Sequence, residues 1–273
     1  MDDLCKLPLR QPVLLLLVLA CAGGCQHMPF GKNAASPATA QGNGSFFPWG
    51  NNRVASKSSQ QEAKSERALS KVTPKQEADI QFAQARVLES EGNIEQASAM
   101  YTEVVKRDKH RGDAYHRLAI LATKQGKFEE SEKWFLKALK ADPENPDISC
   151  DFGYSLYLQG RMDEAESRLH EALSADSDFG RAHNNLGLVY AHTDRLQAAI
   201  DEFTKGGATK ANAYSNVAVA LAMDGDLNEA KRIYQLAIEV DPECQAAQKG
   251  LKELKMVLAR TDQGDASEAS WEE

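Results

Sequence analysis

The chain is poor in several things that chemistry usually needs. Of its 273 residues only five are cysteine and 7% are aromatic, and basic residues do not outnumber acidic ones: 32 Lys plus Arg stand against 40 Asp plus Glu, a net charge of -8. An acidic balance excludes a nucleic-acid backbone as the main partner, because binding phosphates requires a positive field. The cysteines are Cys5, Cys21, Cys25, Cys150 and Cys244. Three crowd into the first 25 residues and the other two stand far apart. No metal spacing such as CxxC occurs, nor the dense framework of a small disulfide-bonded domain, so Cys150 and Cys244 read as free thiols. The six histidines (His27, His110, His116, His170, His183, His192) form no HExxH or HxH pair. GxSxG and phosphate-cradling glycine loops are missing as well. Nothing here points to catalysis, a metal, a cofactor or a small-molecule substrate. What is plentiful is Ala, Leu, Glu and Lys, a composition that favours helix.

Long apolar runs are also lacking, with one short exception. Val13 to Ala22 reads VLLLLVLACA. Ten helical residues rise only about 15 Å, half the hydrocarbon core, so this run fits the apolar region of an export signal rather than a spanning helix. Small residues then lead into Cys25: Ala22-Gly23-Gly24-Cys25-Gln26. This stretch resembles a bacterial lipobox. The resemblance implies lipid attachment at Cys25, with Cys21 as the alternative and cleavage without lipid as a third possibility. Gln26 is not the aspartate that marks retention at the inner membrane in such proteins, so the same resemblance implies an outer-membrane lipoprotein facing the periplasm. Residues 1–24 are thus expected as signal and 25–72 as a disordered tether. The tether is rich in Ser, Ala, Gly, Asn and Gln, cannot bury enough surface to order itself, and as a coil spans about 38 Å. One cluster interrupts it, Phe46-Phe47-Pro48-Trp49, readable as a docking motif or as a sticky patch.

From residue 78 onward the chain repeats itself. Gly92, Gly126, Gly160 and Asp194 follow at one constant spacing, and Gly225 comes slightly early. Five positions after each stands a small residue: Ala97, Ser131, Ala165, Ala199, Ala230. Four further on stands a bulky one: Tyr101, Phe135, Leu169, Phe203, Tyr234. Glycine permits the left-handed turn between two helices, and a small residue lets them approach. The bulky residue fills the space one turn later. Asp-Pro at 142–143 and 241–242 ends a helix, since a residue before proline is driven out of the α region. This pattern resembles the tetratricopeptide repeat. The resemblance implies an all-α fold, a right-handed solenoid of helix–turn–helix repeats over 73–260. The repeats are placed at 78–111, 112–145, 146–179, 180–210 and 211–244, followed by a capping helix at 245–260 and an acidic disordered tail at 261–273. Gly206-Gly207 fall where the second helix of repeat four should still run, so that helix is expected to end early.

In this family the first helices of the repeats line a binding face. Carried onto this chain, the family pattern and the helical period select Phe82, Arg86, His116, Ile120, Tyr154, Tyr157, Leu158, Asn184, Leu188 and Val219. Such a face is apolar in its middle and acidic at its first-repeat end, through Asp79, Glu89 and Asp113. It suits an extended peptide or an amphipathic helix of a protein partner. Three functions compete: an assembly scaffold held at the envelope, as tetratricopeptide lipoproteins of pilus biogenesis are; an adaptor or chaperone-like subunit presenting clients to a separate enzyme; and a soluble adaptor with no anchor.

Overall fold

The computed structural model describes residues 73–268, and side chains to Ala259. The expected signal (1–24), Cys25 and Cys21, the tether (25–72) and Phe46-Phe47-Pro48-Trp49 lie outside the described residues, as does the end of the expected tail. Eleven helices and no strand occur among the described residues: α1 Pro74–Ser90, α2 Ile94–Arg107, α3 Gly112–Lys124, α4 Phe128–Ala141, α5 Pro146–Leu158, α6 Met162–Ala175, α7 Gly180–His192, α8 Leu196–Lys205, α9 Lys210–Asp224, α10 Leu227–Val240 and α11 Gln245–Glu268. Each expected repeat is one antiparallel pair. The chain divides into two units, the first ending at Ala141 and holding α1–α4, the second starting at Asp142 and holding α5–α11.

Local signals set the helix ends. Thr73 caps α1 in a capping box: the Gln76 N–H donates to Thr73 Oγ1 at 3.3 Å, and the Thr73 N–H donates to Gln76 Oε1 at 2.9 Å. That reciprocal pair satisfies two donors a helix start leaves open. Asn145 caps α5, with Pro146 at its first position, and Thr209 caps α9. Asp241, just before Pro242, leaves α10 in extended backbone at φ -143°. At the turns between paired helices, Gly92, Gly126, Gly160 and Gly225 have φ between +70° and +92°, and Asp194 does the same work at +58°. A left-handed backbone costs an L-residue about 1–2 kcal/mol, less for Asp, while glycine loses about 0.4–1 kcal/mol through its freer unfolded chain. Asp194→Gly is therefore expected to stabilise the protein by only about 0.5 kcal/mol. An unchanged or lower urea midpoint would show that the Asp194 side chain compensates.

In the cores, the small residues Ala97, Ser131, Ala165, Ala199 and Ala230 are all 0% exposed, and the bulky ones beside them are at most 3% exposed. Ser131 is polar yet costs nothing, because its hydroxyl donates to the Ala119 carbonyl at 3.0 Å. The paired helices touch closely enough that a Cβ on Gly187 would stand 2.9 Å from the Phe203 ring.

One feature follows the sequence reading and one exceeds it. α8 has 10 residues where α2, α4, α6 and α10 have 14, and it stops at Lys205 as the glycine pair implies. Gly206 does more than stop it. Asn184 Nδ2 donates to the Gly206 carbonyl at 3.3 Å, and any Cβ on Gly206 would fall within the Asn184 amide. The closing helix, expected over 245–260, continues to Glu268, into the stretch expected as tail. No proline interrupts residues 245–268, and each residue added to an existing helix gains a hydrogen bond without a new nucleus.

Candidate functional site

The expected binding residues fall on both units. In the first unit, Phe82 of α1 packs edge-on against Tyr101 at 5.4 Å, with the Arg111 guanidinium 4.6 Å from its ring centre. Arg86 is exposed, while His116 is half-buried beside Phe135 at 6.1 Å. Ile120 is 6% exposed and belongs to the core, so it offers little surface to a ligand.

The acidic character expected at this end is largely cancelled. Arg111 pairs with both Asp79 and Asp113. Glu89 is bound by the Arg117 guanidinium through two nitrogens, lies 4.0 Å from Lys124, and accepts the Tyr101 hydroxyl at 3.1 Å. Sequence spacing within one helix showed the acids but not the cations, which stand on α3 and in the turn before it.

In the second unit the apolar face is assembled as an aromatic pair. Tyr154 and Tyr157 of α5 stack at 5.9 Å with their planes 22° apart. Leu158 beside them is 45% exposed. Leu188 and Val219 are half-buried and rest against the hydrophobic core of the last repeats. Asn184 holds Gly206 and so has a structural task already.

Two polar pairs were not legible in the sequence. His192 of α7 lies 5.2 Å from the Tyr157 ring, and its Nδ1 is 2.6 Å from both carboxylate oxygens of Asp224, at the end of α9. Its Nε2 is buried without a hydrogen-bond partner. Burial pushes the Asp224 carboxyl above its ordinary range, although His192 pulls it back in part. Burial likewise raises the Tyr154 and Tyr157 phenols, which stay protonated at any physiological pH. Tyr154, Tyr157, His192 and Asp224 thus link three successive first helices into one surface. Asp224 directly precedes a turn glycine, a position that sequence periodicity assigns to no face.

The second pair is buried. His183 Nδ1 is 2.6 Å from Glu202 Oε2, its Nε2 is 3.0 Å from the Ser177 carbonyl, and Lys205 binds the other Glu202 oxygen at 2.6 Å. This network secures the shortened α8.

No group of three or more His, Cys, Asp and Glu among the described residues could hold a metal. Cys150 and Cys244 are buried and unpaired by disulfide, and burial pushes the Cys150 thiol up to about 12, so it is no nucleophile at neutral pH.

Comparison with known proteins agrees with this geometry. Two family models, both described as tetratricopeptide repeat, match residues 82–146 with 150–213, and 211–240, together more than half of the chain. No curated protein sequence matches it. Among solved structures, PilW, a type IV pilus biogenesis factor, is 19% identical with a TM-score of 0.52, over 67% of this chain and 99% of its own. PilF of Pseudomonas aeruginosa is 22% identical with a TM-score of 0.51, over 68% and 94%. A tetratricopeptide repeat protein of Parabacteroides merdae is 17% identical with a TM-score of 0.53, over 70% and 77%. At these identities the likeness is one of fold. The repeat period, the paired helices with their left-handed turns and the family matches lead to one conclusion: the chain belongs to the tetratricopeptide-repeat family.

Proposed function

We propose that the protein is a non-catalytic scaffold that holds a peptide or an amphipathic helix of a partner protein on the first-helix face around Tyr154, Tyr157 and Leu158. The observation that carries this reading is the stacked tyrosine pair with an exposed leucine beside it, backed by His192 and Asp224. Stiff aromatic rings next to an aliphatic side chain lose little entropy on binding and bury much area, as anchor residues at interfaces do. The lipobox-like sequence ending at Cys25, with Cys21 the alternative, supports anchoring at the bacterial envelope, with the tether giving the repeats reach. No helix among the described residues is long and apolar enough to cross a membrane. The fold shared with PilW, a type IV pilus biogenesis factor, supports a place in assembling an envelope structure.

A photo-crosslinking residue at Leu158, in cells, tests the face. It is expected to trap a discrete adduct that the same probe at Leu136, exposed on α4, does not. Tyr154→Ala with Tyr157→Ala should reduce that adduct about tenfold. The helix signal and melting temperature should fall little, because both rings are half-buried. Equal adducts from both probes would rule the face out, and a loss of fold in the double variant would assign the tyrosines to packing. Mass spectrometry of the mature N-terminus tests the anchor separately: an intact Met1 excludes it.

A further inference from the structure

The first helix of the array has one side that no described helix covers. Within each unit, the later first helices bury two apolar residues against the pair that precedes them, twelve and five positions before the turn residue. These are Ala114 and Leu121 on α3, Ala182 and Val189 on α7, and Ala213 and Ala220 on α9, none more than 1% exposed. The same positions of α1 hold Ile80 and Val87, which are 52% and 55% exposed. A terminal repeat is ordinarily polar on its free side. The closing helix α11 keeps to that rule, since its exposed residues include Gln248, Lys252 and Lys255. α1 breaks it with the two residues that its register would bury.

The stripe is complementary to itself. At 3.6 residues per turn, Ile80, Ala83, Gln84 and Val87 lie within about 50° of one line along α1, and all four are exposed. We propose that a second copy of this chain docks on this stripe, with the two α1 helices antiparallel about a two-fold axis between Ala83 and Gln84. Such a contact is satisfied twice. Ile80 of each copy faces Val87 of the other, and the small Ala83 at the crossing lets the helices approach. Asp79 and Arg86, both exposed, flank the stripe on one side. In the antiparallel arrangement each Asp79 comes within two residues, about 3 Å along the axis, of the level of the other copy's Arg86. Arg111 holds Asp79 through Oδ1, so Oδ2 is the oxygen that Arg86 would meet. Glu91 of each copy comes near Gln76 and Glu77 of the other, and Arg107 matches the Glu77 charge. A parallel pairing would set Asp79 on Asp79 and Arg86 on Arg86, so charge selects the antiparallel one.

One helical stripe is smaller than a standard interface, so a weak dimer is expected, with a dissociation constant of about 10–100 µM. Sedimentation of the full chain in a non-ionic detergent, over about 1 to 300 µM, tests this. Ile80→Gln with Val87→Gln should weaken self-association about tenfold or more. The helix signal should not change, because both side chains are exposed. Asp79→Lys and, separately, Arg86→Glu oppose like charges twice and should each weaken the dimer about fivefold. An equimolar mixture of these two variants restores opposite charges at both pairs and should associate as the wild type does, which a folding defect would not. A wild type that stays monomeric overturns the proposal. An Ile80→Cys thiol shielded from labelling in that monomer would assign the stripe to the residues before Thr73 instead. A dimer that Ile80→Gln with Val87→Gln leaves intact, or a mixture that associates no better than either charge variant alone, also overturns it.

Discussion

Glu202→Ala is expected to destabilise the protein by about 3 kcal/mol at neutral pH, measured by urea unfolding. Glu202 is 8% exposed and joins Lys205, one turn along α8, to His183, across the helix pair. Deleting the carboxylate loses two charge-assisted bonds and leaves His183 buried beside an empty space. The pH dependence separates this account from simple loss of packing. Burial alone would raise the Glu202 carboxyl, but the hydrogen bonds from Lys205 and His183 outweigh it and hold it below its usual range. A carboxylate lowered in this way stabilises the fold only while ionised. Its contribution is complete above the ordinary glutamate range, about pH 4.3, and is lost as pH falls through the lower folded value. Glu202→Gln keeps an acceptor and should cost less, about 1–2 kcal/mol. Its deficit relative to wild type should shrink steadily as the pH drops below about 4.3. A deficit that stays constant down to acid unfolding would mean that ionisation of Glu202 contributes nothing.

The second large effect is at the closing helix. A glycine inside a helix normally costs about 1 kcal/mol relative to alanine, so Gly250→Ala looks stabilising on propensity alone. It is expected to destabilise by about 2 kcal/mol instead, overpacking outweighing propensity. A Cβ at 250 would fall inside the phenol ring of Tyr234, against Cζ, Cε1 and Oη, and that ring is 1% exposed and has nowhere to turn. In a Tyr234→Leu background the obstruction is gone, and Gly250→Ala should become neutral or stabilising by up to about 1 kcal/mol. The double-mutant cycle should then give a coupling of about 2 kcal/mol or more. Were Gly250→Ala stabilising in the wild type, α11 would not approach α10 as closely as described.

The repeats were readable because each rests on rules that act within one helix or one turn. Gly92, Gly126 and Gly160 announce their turns, and Asp194 takes the same left-handed backbone at the same interval. Ala97 and Tyr101, four residues apart, must share a face. The early end of α8 followed from Gly206-Gly207 for the same reason. The stripe containing Tyr154, Tyr157 and Leu158 followed from the helical period. Its chemistry did not. Asp79, Glu89 and Asp113 read as an acidic end until Arg111, in the turn before α3, and Arg117, on α3, are placed against them. Ile120 reads as a groove residue and is core, while Asn184 reads as a ligand contact and is a strut for Gly206.

The sequence by itself determined that this protein is a chain of helix pairs, where each pair turns and which side of each helix is apolar, since local backbone geometry and side-chain period suffice for that. Only the tertiary structure decided which charges are cancelled, that His192 meets Asp224 and His183 meets Glu202, and that Gly250 is a point of contact rather than a weak spot in its helix. Those outcomes depend on how far apart successive helices lie. That distance is set by the packing of many side chains at once, and no spacing along the chain encodes it.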